Sequence, residues 1–114
     1  MNRILQGTIV LPENTPTGEY PRIRVEVRDV SVADAPSIVV AATELQDVTV
    51  GPGTMLAFEL PVPEQNRSQS LSVRVHVSRN GSLSTQQGDL VSTASYPVAA
   101  IGPVAALRIP VRVV

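Results

Sequence analysis

Few side chains in this sequence can do chemistry. His76 is the single histidine, and cysteine and lysine are absent. All nine Lys/Arg positions are arginine. Arg22, Arg24 and Arg28 recur at even spacing in one stretch, and Arg74 and His76 do so in another. A guanidinium presents a planar fork of N–H donors that matches a carboxylate or phosphate in bidentate fashion. If the two stretches are neighbours, Arg22, Arg24, Arg28, Arg74 and His76 form an anion-binding patch. The ordinary alternative is a solvated sheet face whose charges pair across strands, with Glu26 and Glu59 neutralising part of the arginine charge. The ordinary reading is preferred, because a charged outer face is the default for a half-buried sheet.

Asp29, Ser31 and Asp34 are the second cluster. As a cation site they fall short, since calcium takes six to eight oxygens from closely alternating acids. Two acids five residues apart, followed by Pro36, instead build a structural corner: short oxygen side chains bond nearby backbone N–H groups, and proline fixes φ. Ala33 and Ala35 let the backbone pass close by. His76 falls on the polar phase of its stretch and reads as a solvated side chain. The ten serines are scattered, and no Gly-x-Ser-x-Gly elbow is present. With one histidine and no cysteine or lysine, general acid–base or covalent catalysis has almost no candidates. The expectation is a protein without enzymatic activity, metal or organic cofactor.

The elements that position these residues read as strands. Ile23, Val25 and Val27 alternate with Arg22, Arg24, Glu26 and Arg28, the period-two signature of a half-buried strand. Residues 4–11 form an earlier strand, followed by a proline-rich loop from Pro12 to Pro21. Ser37–Leu45 is a continuous apolar run whose β-branched start favours strand over helix, with Asp47–Val50 continuing it after a bulge. Leu56–Val62 and Leu71–Ser78 alternate again. Asn80-Gly81 is a strong two-residue hairpin signal, with a return strand from Ser82 or Leu83. Leu90–Val98 is extended, and Leu107–Val113 is the last strand. Pro110 cannot donate to a ladder, so that strand lies at an edge or pairs on one side there. The alternation places Ile23, Val25, Val27, Phe58, Leu60, Leu71, Val73, Val75, Val77, Leu107, Ile109 and Val111 inward.

Seven or eight short strands without a helix make an all-β fold, a single antiparallel β-sandwich. The 114 residues favour one domain, and such a chain buries roughly two-thirds of its unfolded surface. A net charge of −1 gives no field toward nucleic acid or anionic lipid, and no aromatic interleaves the arginines for base stacking. No apolar stretch reaches the ~18 residues of a membrane span. The first residues do not read as a signal peptide. Two compartments stay open: the cell envelope if an export segment preceded Met1, the cytoplasm if Met1 is the native start.

The run Asp29-Val30-Ser31-Val32-Ala33-Asp34-Ala35-Pro36-Ser37 resembles the signature of the YscW/YbaY-type family of small envelope lipoproteins and type III secretion pilotins. Leu5-Gln6-Gly7-Thr8-Ile9, Ala57-Phe58-Glu59-Leu60-Pro61, Asn80-Gly81-Ser82-Leu83 and Tyr96-Pro97-Val98 with Gly102 are similar to further pieces of that pattern, so the resemblance covers nearly the whole chain. It implies a β-sandwich of the cell envelope and, for pilotin members, chaperone-like binding of an outer-membrane secretin. The chain departs from the pattern in lacking a lipid-bearing cysteine and an acid within Ser92-Thr93-Ala94-Ser95. The expected partner is a protein, a secretin-like component. The alternative is a structural or carbohydrate-binding domain, against which the scarcity of aromatics (Tyr20, Phe58, Tyr96) counts.

A partner can also meet a sheet edge. The candidate is Ile38, Val39, Val40, Ala41, Ala42 and Thr43, an uncharged run with Val39 and Ala41 expected to lie open on the phase opposite Ile38, Val40 and Ala42. It borders a groove for a partner segment or pairs with a second copy in a homodimer. A strand covered on both faces reads the same way.

Overall fold

The computed structural model describes residues 2–32 and 34–114; Met1 and Ala33 lie outside the described residues. The strands are β1 Asn2–Val10, β2 Gly18–Asp29, β3 Ile38–Val50, β4 Met55–Pro63, β5 Leu71–Ser78, β6 Leu90–Ser92, β7 Pro97–Val98 and β8 Leu107–Val113. No helix is present among the described residues. The strands run in the order β3-β2-β5-β6-β8-β1-β4, with β7 on the side of β5. This path curls into a nearly closed barrel, left open between β3 and β4. The all-β expectation holds, with one parallel pairing, β1 with β8.

The strands form because alternation gives each one an apolar face. Eleven of the twelve residues placed inward by alternation are buried, and the twelfth, Leu107, packs against the core. Ile23, Val25 and Val27 sit opposite Val77, Val75 and Val73 across the β2–β5 ladder, so two rows of valine and isoleucine share one face. Gly7 stands opposite Phe58 on β4. A Cβ at Gly7 would collide with the Phe58 ring; the glycine and phenylalanine of the two motifs are one packing unit.

Four local expectations need correction. β8 is an interior strand rather than an edge, and at Pro110 it pairs on one side only, with Val10, as the other half of that expectation has it. Leu107–Pro110 pairs with Gly7–Val10, and Val111–Val113 pairs with Leu90–Ser92. Pro110 stands where the strand changes partners, so its missing N–H removes no ladder bond that both halves need. The two-residue hairpin at Asn80-Gly81 is replaced by a long loop, with β6 beginning only at Leu90. Asn80 Oδ1 accepts the Ser82 N–H at 2.9 Å and only Gly81, at φ 82°, takes the left-handed conformation, whereas a type I′ turn needs both residues there. The proline-rich loop is shorter than expected, since β2 starts at Gly18 and runs through Pro21.

The fourth correction concerns β3. It is an edge strand, as expected, but a bulge opposite Val27 and Arg28 pairs Val27 with Ala41 and Arg28 with Val39. The extra residue, Val40, turns inward together with Ala41, and both pack on the core. Ile38 and Val39 are the exposed pair, at 66% and 39%, and Ala42 is exposed while Thr43 is half-buried. At Asp47, where a bulge is expected, the residue takes φ 53° but the ladder keeps its register, with Tyr20 opposite Val48 and Arg22 opposite Gln46.

Candidate functional site: an arginine-lined groove

The outward faces of β3, β2, β5 and β6 meet in register. Glu44 faces Arg24, Arg24 faces His76, and His76 faces Val91. One step along, Ala42 faces Glu26 and Glu26 faces Arg74. All five residues of the sequence-derived patch therefore line one groove of about 790 Å³, with Glu26, Glu44, Leu83, Thr85, Val91, Ser92 and Val114 among its other walls.

Two carboxylates organise the arginines. Glu26 is 9% exposed. Its Oε2 accepts from Arg24 Nε at 2.9 Å and its Oε1 from Arg28 Nε at 3.0 Å. Glu44 Oε1 accepts from Arg24 Nη1 at 3.0 Å and Arg22 Nη1 at 3.5 Å. Arg28 also donates to Ser37 Oγ at 2.9 Å. Burial pushes the Glu26 carboxyl up, but the bonds from Arg24 and Arg28 outweigh it and hold the group below the usual carboxylate range. The hydrogen bond to Glu26 is the main reason the Arg24 guanidinium is pushed up. Composition shows no sign of this network, since Glu44 ends an apolar run and its role depends on the β2–β3 register.

His76 is not a solvated strand residue. Its side chain is 13% exposed, and Nε2 lies 2.8 Å from Asp89 Oδ2. Asp89 is fully buried. It also accepts from Arg79 N at 3.0 Å and Gln86 N at 2.9 Å. Burial raises this carboxyl, and the Arg79, His76 and Gln86 bonds more than reverse that, leaving it below its ordinary value. An ionised carboxylate only accepts, so Nε2 carries the proton. The pair pins the loop from Arg79 to Asp89 beside the groove. No motif in the sequence singles out Asp89; the polar, glycine-containing run Gln86-Gln87-Gly88-Asp89 is the only signal of the turn that carries it.

The remaining candidates lie elsewhere. Asp29 Oδ1 accepts the Ser31 N–H at 2.9 Å and the Ser31 hydroxyl, and Oδ2 accepts Gln69 Nε2 at 2.6 Å. The Ser31 bonds, with help from Gln69, hold the Asp29 carboxyl low. Asp34 takes the left-handed conformation at φ 64° just before Pro36. Asp29, Ser31, Asp34 and Pro36 thus form the corner between β2 and β3, stitched to Gln69 and Ser70. Among the described residues no group of three His, Cys, Asp or Glu is arranged to hold a metal ion. Tyr20 and Phe58 are buried and Tyr96 packs on the core, so no aromatic platform faces solvent. No helix of the described residues is long and apolar enough to cross a membrane.

No family model matches the chain, and no curated protein sequence does either. Among solved structures it is similar to an alternative pilotin from the type II secretion system of Vibrio cholerae, at a TM-score of 0.73 and 20% identity, covering 100% of this chain and 98% of that one. The chain thus has a pilotin-like fold from end to end.

Proposed function

We propose that the protein is a non-enzymatic protein-binding module of the pilotin type, a YscW/YbaY-like domain of the cell envelope whose partner is an outer-membrane secretin-like component. The observation that carries this reading is the end-to-end likeness to a pilotin, which spans 100% of this chain and 98% of that one. The corner motif that resembles the family signature supports it. The groove on the outer face of β2 and β5 gives it a place to act: it is open, charged and flanked by exposed apolar side chains. The buried aromatics disfavour the carbohydrate alternative.

The test is co-purification. The protein is mixed at about 10 μM, a concentration that reveals micromolar affinity, with a secretin encoded in the same genome. Co-elution on size exclusion, lost when groove residues are substituted, is expected. Separate elution of the two chains refutes the reading.

A further inference from the structure

The groove's arginines are not equivalent. Arg22 and Arg24 are paired with Glu44, and Arg24 and Arg28 with Glu26. Both Glu26 oxygens are taken, one by each arginine. Arg74 is the cross-strand neighbour of Glu26 on β5, yet it has no carboxylate within ion-pair distance among the described residues and is exposed. Its other side is a break in the sheet. β6 meets β5 only at His76 and Val77, and β7 only at Leu71 and Ser72. The chain between them bows away, held by Val75 N to Ser92 Oγ at 2.9 Å and Val73 N to Tyr96 O at 3.0 Å. This leaves a second recess of about 240 Å³, in which Arg74 faces Ser92, Thr93 and Ser95. That segment offers hydroxyls and no acid.

The geometry points to Arg74 as the anchor for a carboxylate supplied by the binding partner, an acidic and apolar peptide segment lying along the groove. Charge complementarity names the occupant: among the side chains lining the groove, four arginines face two glutamates, a surplus of two guanidinium charges over carboxylates. A guanidinium fork beside hydroxyls takes a carboxylate in bidentate fashion. A bare anion leaves Leu83 and Val114 uncovered, and these line the same groove at 66% and 50% exposure. An occupant with apolar residues beside its acids covers both. The inference rests on the protein-binding reading and names the chemistry of its partner.

The experiment titrates the protein with three short synthetic peptides in which leucine alternates with glutamate, glutamine or lysine, following arginine side-chain and backbone amide signals by NMR. The glutamate peptide is expected to bind about tenfold more tightly than the glutamine one, the scale of one charge-assisted pair, and to shift Arg74, Ser92 and Leu83. Arg74→Gln is expected to erase the preference with the melting temperature unchanged, while Arg108→Gln, outside the groove, keeps it. Equal affinity for the glutamate and glutamine peptides, no binding of either, or shifts confined to other faces overturns the inference. So does displacement of the peptide by phosphatidylglycerol vesicles, which makes the occupant a lipid surface. Secretin co-purification that survives Arg74→Gln defeats the anchor and leaves the protein-binding reading standing; loss of co-purification by the unsubstituted protein defeats that reading, while the peptide titration still decides the anchor.

Discussion

Asp89→Ala isolates the contact that fastens the Arg79–Asp89 loop to the sheet. The carboxylate has no exposed surface and receives three N–H groups, from Arg79, Gln86 and His76, at 2.8–3.0 Å. Hydrogen bonds to a charged group contribute about 1.5–3 kcal/mol each, and a donor left buried and unpaired is costly. Three bonds at the low end give about 4–5 kcal/mol. Water entering the vacated space satisfies some of the donors, so the expected loss is about 3–4 kcal/mol, a large part of the ~5–15 kcal/mol that stabilises a domain. Asp89→Asn keeps the shape but turns an acceptor into an N–H₂ donor facing another N–H; about 2 kcal/mol is expected. Urea denaturation at pH 7 by far-ultraviolet circular dichroism reads both values, and an unchanged m-value certifies that only stability moved. A loss under about 1 kcal/mol for Asp89→Ala refutes the argument, because it means that the loop is held by something else. A double-mutant cycle with His76→Ala apportions the share of the His76–Asp89 hydrogen bond.

Gly7→Ala drives a methyl into the Phe58 ring and is expected to cost about 1–3 kcal/mol, the usual price of overpacking; Phe58→Leu in the same background restores part of it. Stability falls in acid. Glu26 and Asp89 are both held below their ordinary values when folded, so their contribution is complete above about pH 4–4.5 and disappears as pH falls through the lower folded values; melting temperatures from pH 7 to pH 2 trace it, and Asp89→Asn flattens the curve. Val39→Arg, at an exposed edge position, changes stability by less than about 0.5 kcal/mol, as thermal melting shows; unfolding of this variant contradicts the edge placement.

What was legible in the sequence follows from what alternation can encode. Ile23, Val25 and Val27 on one phase and Arg22, Arg24 and Arg28 on the other fix which way β2 faces, so eleven of the nineteen buried apolar residues and the five groove residues could be named residue by residue. Alternation says nothing about neighbours. That Glu44 lies beside Arg24, or that Asp89 reaches His76, depends on ladder register and on a loop path. The irregularities of β3 were not legible: the bulge at Val40 sits inside an unbroken apolar stretch with no residue to mark it, and at Asp47, where a bulge is expected, the ladder keeps its register. Pro110 was legible as a pairing gap but not as an edge, because a proline can equally stand where a strand exchanges one partner for another.

That exchange bears on the order of assembly. β1, β4 and the first half of β8 form one sheet, and the second half of β8 joins β6 of the other. During synthesis the two sheets can each be complete on their inner strands and still have no ladder between them until β8 emerges from the ribosome. β1, made first, waits for the last strand with its β8-facing edge bare. Pairing across nearly the whole chain length is slow by topology, and a bare strand edge invites pairing with other chains in the interval. The nascent protein is therefore vulnerable at the edge of β1, until the seven residues of β8 close the sheet and stitch its two halves together.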